Sequence, residues 1–119
     1  MKENLIRTKT YKFALEIISL YKYLIANKKE YILAKQILRC GTSIGANIEE
    51  AIGSHSRKDF FSKITISYKE ARETEYWLRL LHDSHYIEKE YYNKSISYLT
   101  EILRIITSIQ KTIRLSEKN

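Results

Sequence analysis

Apolar and polar positions recur along this chain at the spacing of α-helices. In the segment 60–81, the apolar or small positions follow steps of four and three residues, and they are Phe60, Ile64, Ser67, Ala71, Thr74, Leu78 and Leu81. A second row of this kind consists of Tyr92, Ser95, Leu99, Ile102, Ile106, Ile109 and Ile113. Steps that average 3.5 residues predict long helices that pack nearly antiparallel, at about 20° to one another.

Two further helices are predicted in the first half of the chain. The first runs from about Tyr11 to Ala26, and its apolar stripe comprises Ala14, Ile17, Tyr21 and Leu24. Asn27 and Glu30 have the spacing of a capping box, so the second helix is expected to begin there and to continue to about Gly53. Its apolar positions are Leu33, Ile37, Cys40, Ile44, Ile48 and Ala51.

Turn and capping residues divide the rest of the chain into the last two helices. Ser56 and Asp59 repeat the capping spacing and open the third helix, which is expected to end within 82–85. Glu88 and Glu90 stand where acidic residues favour the start of a fourth helix. Connections this short join antiparallel neighbours. The sequence therefore predicts an all-α, up-down-up-down four-helix bundle that forms a single domain over 1–119, with helices about 36–42 Å long at 1.5 Å per residue.

Small residues predict how the two middle helices meet. If these helices form a hairpin that turns near residue 55, Gly41 lies near Lys69 and Ile44 lies near Ser67. Each glycine inside a helix costs about 1 kcal/mol relative to alanine, so a compensating close contact is expected. We expect Gly41 and Gly45 to face the small residues of the third helix, which are Ser67, Ala71 and Thr74.

Composition and charge place further limits on the protein. The chain has 119 residues, no proline and a formal net charge of +7, of which residues 1–40 carry +6. The single cysteine, Cys40, cannot form an internal disulfide, and no Cys/His set has zinc spacing. With no visible targeting segment or membrane span, a reducing cytoplasmic location is expected.

A basic end on a nearly neutral body predicts a surface that attracts phosphate. The same excess of lysine is also typical of proteins encoded by AT-rich genomes, and it would then be only a soluble surface. The candidate nucleic-acid-binding residues are Arg7, Lys9, Lys12, Lys22, Lys28, Lys29, Lys35, Arg57 and Lys58. Binding through such residues would be sequence-independent and sensitive to salt.

A set of polar residues on the middle helices can be interpreted in three ways. Its members are Asn47, Glu50, Glu70 and Glu73, with Arg39 and Lys63 within reach. Pairing that fixes the packing is the favoured interpretation, ahead of a solvated rim and of a ligand site. A di-iron site requires Glu-x-x-His pairs, and no histidine has a glutamate three residues before it. The sequence therefore predicts no metal and no other cofactor.

Three motifs together resemble the four-helix bundle proteins of the 23S rRNA intervening-sequence family, which are related to the accessory variability proteins of diversity-generating retroelements. The motifs are 41–48 with Glu50, 56–60, and 69–81. The positions that match the family signature are Ser43, Asn47, Glu50, Asp59, Phe60, Glu70, Glu73 and Leu78. The resemblance implies a bacterial, non-enzymatic homo-oligomer, by analogy a pentamer, without catalytic residues. It also implies RNA or DNA as a ligand, and a reverse transcriptase or another nucleoprotein as a possible partner.

Two other functions remain open from the sequence. The protein could be a structural scaffold that binds other proteins, and the aromatic pair Tyr76–Trp77 is a candidate subunit interface. Alternatively, Arg79 and His85 have a spacing similar to the Arg-x(4–6)-His motif of HEPN ribonucleases, in which both residues act on the scissile phosphate. The non-catalytic interpretation of these histidines is that, at a helix C-terminus, they face the negative end of the helix dipole.

Overall fold

Four long helices make up the part of the chain that the computed structural model describes, which is residues 2–117. They are α1 (Lys2–Lys28), α2 (Ile32–Ile52), α3 (Arg57–Asp83) and α4 (Lys89–Glu117). Consecutive helices are joined by short turns and pack against one another, and α4 also packs against α1. The body measures 52 × 22 × 20 Å. The predicted all-α, four-helix fold is confirmed.

The buried core follows the predicted rows most closely in α3 and α4. Six of the seven positions predicted in α3 are buried, and Phe60 packs against the core at its edge. In α4 the buried apolar residues are Leu99, Ile102, Ile106, Ile109 and Ile113. Gln110 is buried beside them and donates a hydrogen bond from Nε2 to Thr65 Oγ1 on α3, at 3.5 Å. The heptad pattern therefore predicted these two faces correctly.

Helix α1 differs from its prediction in its start and in its buried face. It begins nine residues before Tyr11, at Lys2. The buried row consists of Ile6, Thr10, Phe13, Ile17, Leu20 and Leu24. Ala14 and Tyr21, which the sequence placed on the inner stripe, are only half-buried. The buried row also has heptad spacing, and it carries the large apolar side chains Phe13 and Leu20. Its one polar member, Thr10, satisfies its hydroxyl locally by donating to Ile6 O at 2.8 Å, as buried polar groups require.

The predicted start of α2 at Asn27 is wrong. Asn27 is the penultimate residue of α1, and α2 begins at Ile32. Lys29 adopts a left-handed conformation with φ of 54° and reverses the chain, while Glu30 N donates to Leu24 O at 3.0 Å. The Glu30 carboxylate accepts hydrogen bonds from the backbone N–H groups of Leu33 and Ala34 at 2.5 and 3.2 Å. A glutamate side chain thus caps α2, which the capping-box rule did not anticipate.

The turn between α2 and α3 and the register that it sets agree with the prediction. Ser56 caps α3, and its Oγ accepts a hydrogen bond from Asp59 N at 3.0 Å. Deep in the hairpin, Ser67 Oγ donates to Ile44 O at 2.8 Å. These two residues were expected to face each other, and the buried hydrogen bond places them in contact.

Gly41 and Gly45 of α2 face α1, whereas they were expected to face α3. A Cβ atom on Gly41 would lie 2.8 Å from Ile17 Cγ1, and a Cβ atom on Gly45 would lie 3.3 Å from Thr10 O. Both neighbours belong to α1, so the absence of a side chain lets α1, and not α3, approach α2 closely. The small residues of α3 instead make room for large side chains of α2 such as Ile44.

Candidate nucleic-acid interface

Four of the predicted basic residues surround the turn between α1 and α2. Lys22 and Lys28 lie on the last turns of α1, Lys29 is in the turn, and Lys35 lies at the start of α2; all four are exposed. Lys29 Nζ donates to Ala26 O at 3.0 Å, and Lys28 Nζ lies 6.0 Å from the centroid of the Tyr23 ring. Among the side chains of 4–117, no carboxylate forms an ion pair with these four lysines. The turn therefore presents four unpaired lysines beside one carboxylate, Glu30, which caps α2.

Two other predicted cations are engaged in pairs between helices. Arg7 Nε lies 2.6 Å from Glu49 Oε1 on α2, and Lys9 Nζ lies 2.7 Å from Glu101 Oε2 on α4. The hydrogen bond to Glu101 raises the pKa of Lys9, and burial acts against it. Phosphate would have to compete with these carboxylates, so Arg7 and Lys9 are weaker candidates than the lysines at the turn.

The remaining predicted cations are far from the turn between α1 and α2. Arg57 and Lys58 begin α3, at the other end of α2. Since α2 has 21 residues, about 30 Å separates the two groups. Arg57 donates from Nη1 to Ser116 Oγ at 2.7 Å. Lys12 lies between them on α1 and lines a groove against α4. The predicted set is therefore not one surface within a single subunit.

The polar cluster of α2 and α3 forms structural pairs, as the favoured interpretation expected. Arg39 Nη1 lies 3.2 Å from Glu70 Oε2, and the other guanidinium nitrogen binds Glu73. Trp77 Nε1 donates to Glu73 Oε2 at 2.9 Å. The hydrogen bond from Trp77 is the main cause that lowers the pKa of Glu73; burial opposes it, and Arg39 adds to it. This network joins α2 to α3.

Other signature positions also have structural roles. Lys63 Nζ lies 3.0 Å from Glu50 Oε1 in a second pair between α3 and α2. Asn47 Nδ2 donates to Ser43 O at 2.9 Å, within its own helix. Ser43 Oγ in turn donates to Arg39 O at 2.6 Å. Leu78 is fully buried. Of the signature residues, Glu50, Glu70 and Glu73 join α2 to α3 through ion pairs, whereas Ser43 and Asn47 bond within α2.

The two candidate ribonuclease residues occupy separate surroundings. The Arg79 guanidinium lies 5.9 Å from the centroid of the Tyr76 ring, on the exposed face of α3. His85 is exposed in the turn after α3, in a left-handed conformation with φ of 68°. Tyr86 N closes this turn by donating to Leu81 O at 2.8 Å. His82 stacks on Tyr92, with ring centroids 4.6 Å apart. His85 therefore shapes the end of α3.

Sequence analysis missed a basic groove between α3 and α4. Its volume is about 470 Å³, and its cationic lining residues are Arg72, Arg104 and Lys111. The excess of basic residues in α4 was overlooked because the net charge of 41–119 as a whole is close to zero. Within 91–116, however, four basic residues accompany a single acidic one, Glu101. Glu101 is directed to α1 by its pair with Lys9.

The described residues form neither a metal site nor a membrane-spanning helix. Among the described residues, no three His, Cys, Asp or Glu side chains are placed to hold a metal ion. None of the helices within 2–117 is long and apolar enough to cross a membrane.

Comparison with known proteins agrees with the fold. Residues 2–108 match the family described as 23S rRNA-intervening sequence protein, and the chain belongs to this family. It is similar to a crystal structure from Bacteroides thetaiotaomicron VPI-5482, described as a protein with unknown function from the S23 ribosomal protein family. The two share 50% sequence identity and superpose with a TM-score of 0.92, over 93% of this chain and 99% of the other. No curated protein matches the chain.

Proposed function

We propose that this protein is a non-enzymatic, self-associating four-helix bundle that binds RNA or DNA through its basic surfaces. The observation that carries the proposal is the group of four exposed lysines around the turn between α1 and α2, without carboxylate partners among the described residues. Lysines of this kind attract phosphate oxygens regardless of sequence. The name of the family, which refers to an intervening sequence of ribosomal RNA, gives RNA as the first ligand to test.

Self-association is supported by exposed apolar side chains on α1. Leu5, Tyr11 and Leu15 are 48%, 66% and 50% exposed. Tyr11 and Leu15 are four residues apart and so lie on one face of the helix. Beside them, Lys12, Leu15 and Tyr98 line an open groove between α1 and α4. Another subunit could cover this surface, and repetition of the lysine-rich turn around an oligomer would strengthen weak phosphate contacts by avidity.

Binding of a fluorescently labelled RNA of mixed sequence, followed by anisotropy, tests the proposal. We expect binding at 50 mM salt that weakens at least tenfold at 200 mM salt. The variant Lys28→Gln/Lys29→Gln should bind more weakly than wild type. The control Lys69→Gln/Lys94→Gln loses the same charge at exposed positions of α3 and α4 further from the turn and should change binding little. Absence of RNA and DNA binding at low salt would overturn the proposal.

Light scattering with and without RNA, at the same two salt concentrations, tests self-association. We expect an oligomer in the absence of RNA, because the apolar surface on α1 is independent of the ligand. Replacement of Leu15 and Tyr11 by Ser should reduce the oligomer to smaller species with the helical circular dichroism intact. A monomer under all conditions would contradict this part of the proposal.

A further inference from the structure

We propose that the basic groove between α3 and α4 is a second nucleic-acid site, in which successive phosphates of one strand are bound by Arg72, Arg104 and Lys111. This inference rests on the proposed function and names a surface that lies apart from the lysine-rich turn. The residues that line the groove include three cations and no carboxylate. The groove is therefore a place where an anionic chain would meet attraction without local repulsion.

The groove has cationic donors that are available to a ligand. Arg104 and Lys111 are exposed on α4, and neither forms an ion pair with a carboxylate among the side chains of 4–117. Arg72 has one acidic neighbour, Glu75, at 3.5 Å on its own helix. A pair of that length on a surface helix contributes little. Phosphate could therefore replace it at small cost.

Tyr68 supplies a neutral donor beside Arg72. Arg72 Nη1 donates to the phenolic oxygen of Tyr68 at 3.3 Å, so the hydroxyl proton of Tyr68 is free to point into the groove. The two threonines that line the groove donate their hydroxyl protons to their own helix. Thr100 donates to Ile96 O at 2.8 Å, and Thr107 donates to Leu103 O at 2.7 Å. The donors that remain for an anion are thus the cations and one phenol.

The spacing of the cations favours a strand over a small anion. Arg104 and Lys111 are separated by seven residues, which is two helical turns or about 10.5 Å. Cations repeated over this length of helix match the successive phosphates of a strand better than one compact anion. The row continues on α4 to Arg114, whose guanidinium lies 5.4 Å from the centroid of the Phe61 ring. An extended polyanion lying along the groove would therefore meet a cation every one or two turns.

The register between α3 and α4 holds the two sides of the groove together. Gln110 Nε2 donates to Thr65 Oγ1 at 3.5 Å, and Arg57 Nη1 donates to Ser116 Oγ at 2.7 Å. With these contacts, Arg72 lies opposite the part of α4 that contains Leu103 and Arg104. The cations of two helices thus line one groove by virtue of core packing, before any ligand is bound.

The test compares salt dependence in wild type and three variants, using a labelled single-stranded 20-nucleotide RNA. In the groove variant Arg104→Gln/Lys111→Gln, we expect at least tenfold weaker binding at 100 mM salt. The slope of log K against log salt should fall by about 1.4, which corresponds to two lost phosphate contacts on a single strand. The control Lys89→Gln/Lys94→Gln has the same change in net charge at exposed α4 positions outside the lining of this groove, and it should keep the wild-type slope. Tyr68→Phe should weaken binding without changing the slope.

The outcomes separate this inference from the proposed function. If wild type binds RNA and the groove variant matches the control in affinity and slope, the groove inference is wrong and nucleic-acid binding stands. If wild type binds no nucleic acid, both are wrong. If poly-glutamate displaces RNA as well as an equal charge of unlabelled RNA does, the groove recognises general negative charge, and the assignment to phosphate is overturned. Circular dichroism and thermal melting of each variant check that it is folded; Arg104 and Lys111 are exposed, whereas Tyr68 is half-buried and packs against the core.

Discussion

Ser67 on α3 donates a hydrogen bond to the carbonyl oxygen of Ile44 on α2, at 2.8 Å, in the fully buried centre of the bundle. A side chain thus bonds the backbone of the neighbouring helix, at the point where a small residue of α3 faces a large one of α2. Sliding of the hairpin by one turn would break this bond and leave a polar hydroxyl in the core.

Replacement of Ser67 by alanine should destabilise the bundle by about 0.5–1.5 kcal/mol, which is the net contribution of one such hydrogen bond. The measurement is urea denaturation followed by circular dichroism. Ser62→Ala, at an exposed position on the same helix, is the control and should change the free energy of unfolding by less than about 0.5 kcal/mol. Equal effects of the two substitutions would contradict the role given to Ser67.

Gly41 should not tolerate alanine, although alanine favours the helix by about 1 kcal/mol. The added Cβ would lie 2.8 Å from Ile17 Cγ1 and 2.9 Å from Ile17 Cγ2. Ile17 is buried and β-branched, so it cannot move aside easily. We expect Gly41→Ala to destabilise the protein by about 1–2 kcal/mol.

Gly53→Ala is the matched control for that substitution. Gly53 follows α2 with φ of −85°, and its nearest neighbour for a Cβ is 3.7 Å away. The melting temperature of the Gly53→Ala variant should equal or exceed that of wild type. A stabilised Gly41→Ala variant would show that α1 and α2 are not in close contact at Ile17.

The Glu73 carboxylate should contribute to stability at neutral pH and not in acid. Trp77 and Arg39 lower its pKa below the ordinary value of 4.5. A lowered pKa in the folded state means a contribution that is complete above the unfolded pKa and is lost as the pH falls through the folded pKa. Because the side chain is 37% exposed and solvent screens it, we expect Glu73→Gln to cost about 0.5–1 kcal/mol at pH 7.

Denaturation of wild type and Glu73→Gln at pH 7 and at pH 3 measures this effect. The difference between the two proteins should be smaller at the lower pH, because the contribution is lost as the pH falls towards and through the folded-state pKa of Glu73. Glu88→Gln, at an exposed position between α3 and α4, provides a charge-matched comparison. A difference that is constant with pH would assign the effect of Glu73→Gln to lost packing.

The thiol of Cys40 should be inert in the folded protein. Burial raises its pKa from 9.0 to about 11, and the thiolate is the reactive form. In Ellman's assay at pH 8, we expect no reaction of the native protein within minutes and one thiol per chain after denaturation. Immediate stoichiometric reaction of the native protein would contradict the burial of Cys40.

The same raised pKa of Cys40 predicts lower stability in alkali. Above about pH 9 the unfolded thiol loses its proton while the folded thiol retains it, so the free energy of unfolding falls between pH 9 and pH 11. The variant Cys40→Ala should lack this part of the alkaline slope.

His85→Ala should leave any RNA mixed with the protein as intact as wild type does. His85 is an exposed residue of the turn after α3, with φ of 68°, so its loss affects the turn and not a reactive site. Gel analysis of labelled RNA after prolonged incubation is the measurement. Cleavage by wild type that disappears in both His85→Ala and Arg79→Ala would instead establish the ribonuclease alternative.

The buried faces of α3 and α4 could be predicted because each residue's contribution to a helix face depends only on its position in the heptad. The same reasoning failed at α1, where two overlapping rows have similar spacing, and only the neighbours of Thr10 and Phe13 decide between them. The capping of α2 by Glu30 was also missed, since a turn conformation at Lys29 had first to bring that carboxylate back over the helix start.

The order of polar and apolar residues along the chain was enough to specify four helices and the pairing of Ile44 with Ser67, because these depend on local periodicity and short turns. Three features depended on the packed bundle. Gly41 contacts Ile17, Arg7 and Lys9 pair with carboxylates, and Arg72 lines one groove with Arg104 and Lys111. The physical reason is that each joins residues on different helices, and their proximity is set by core packing and register.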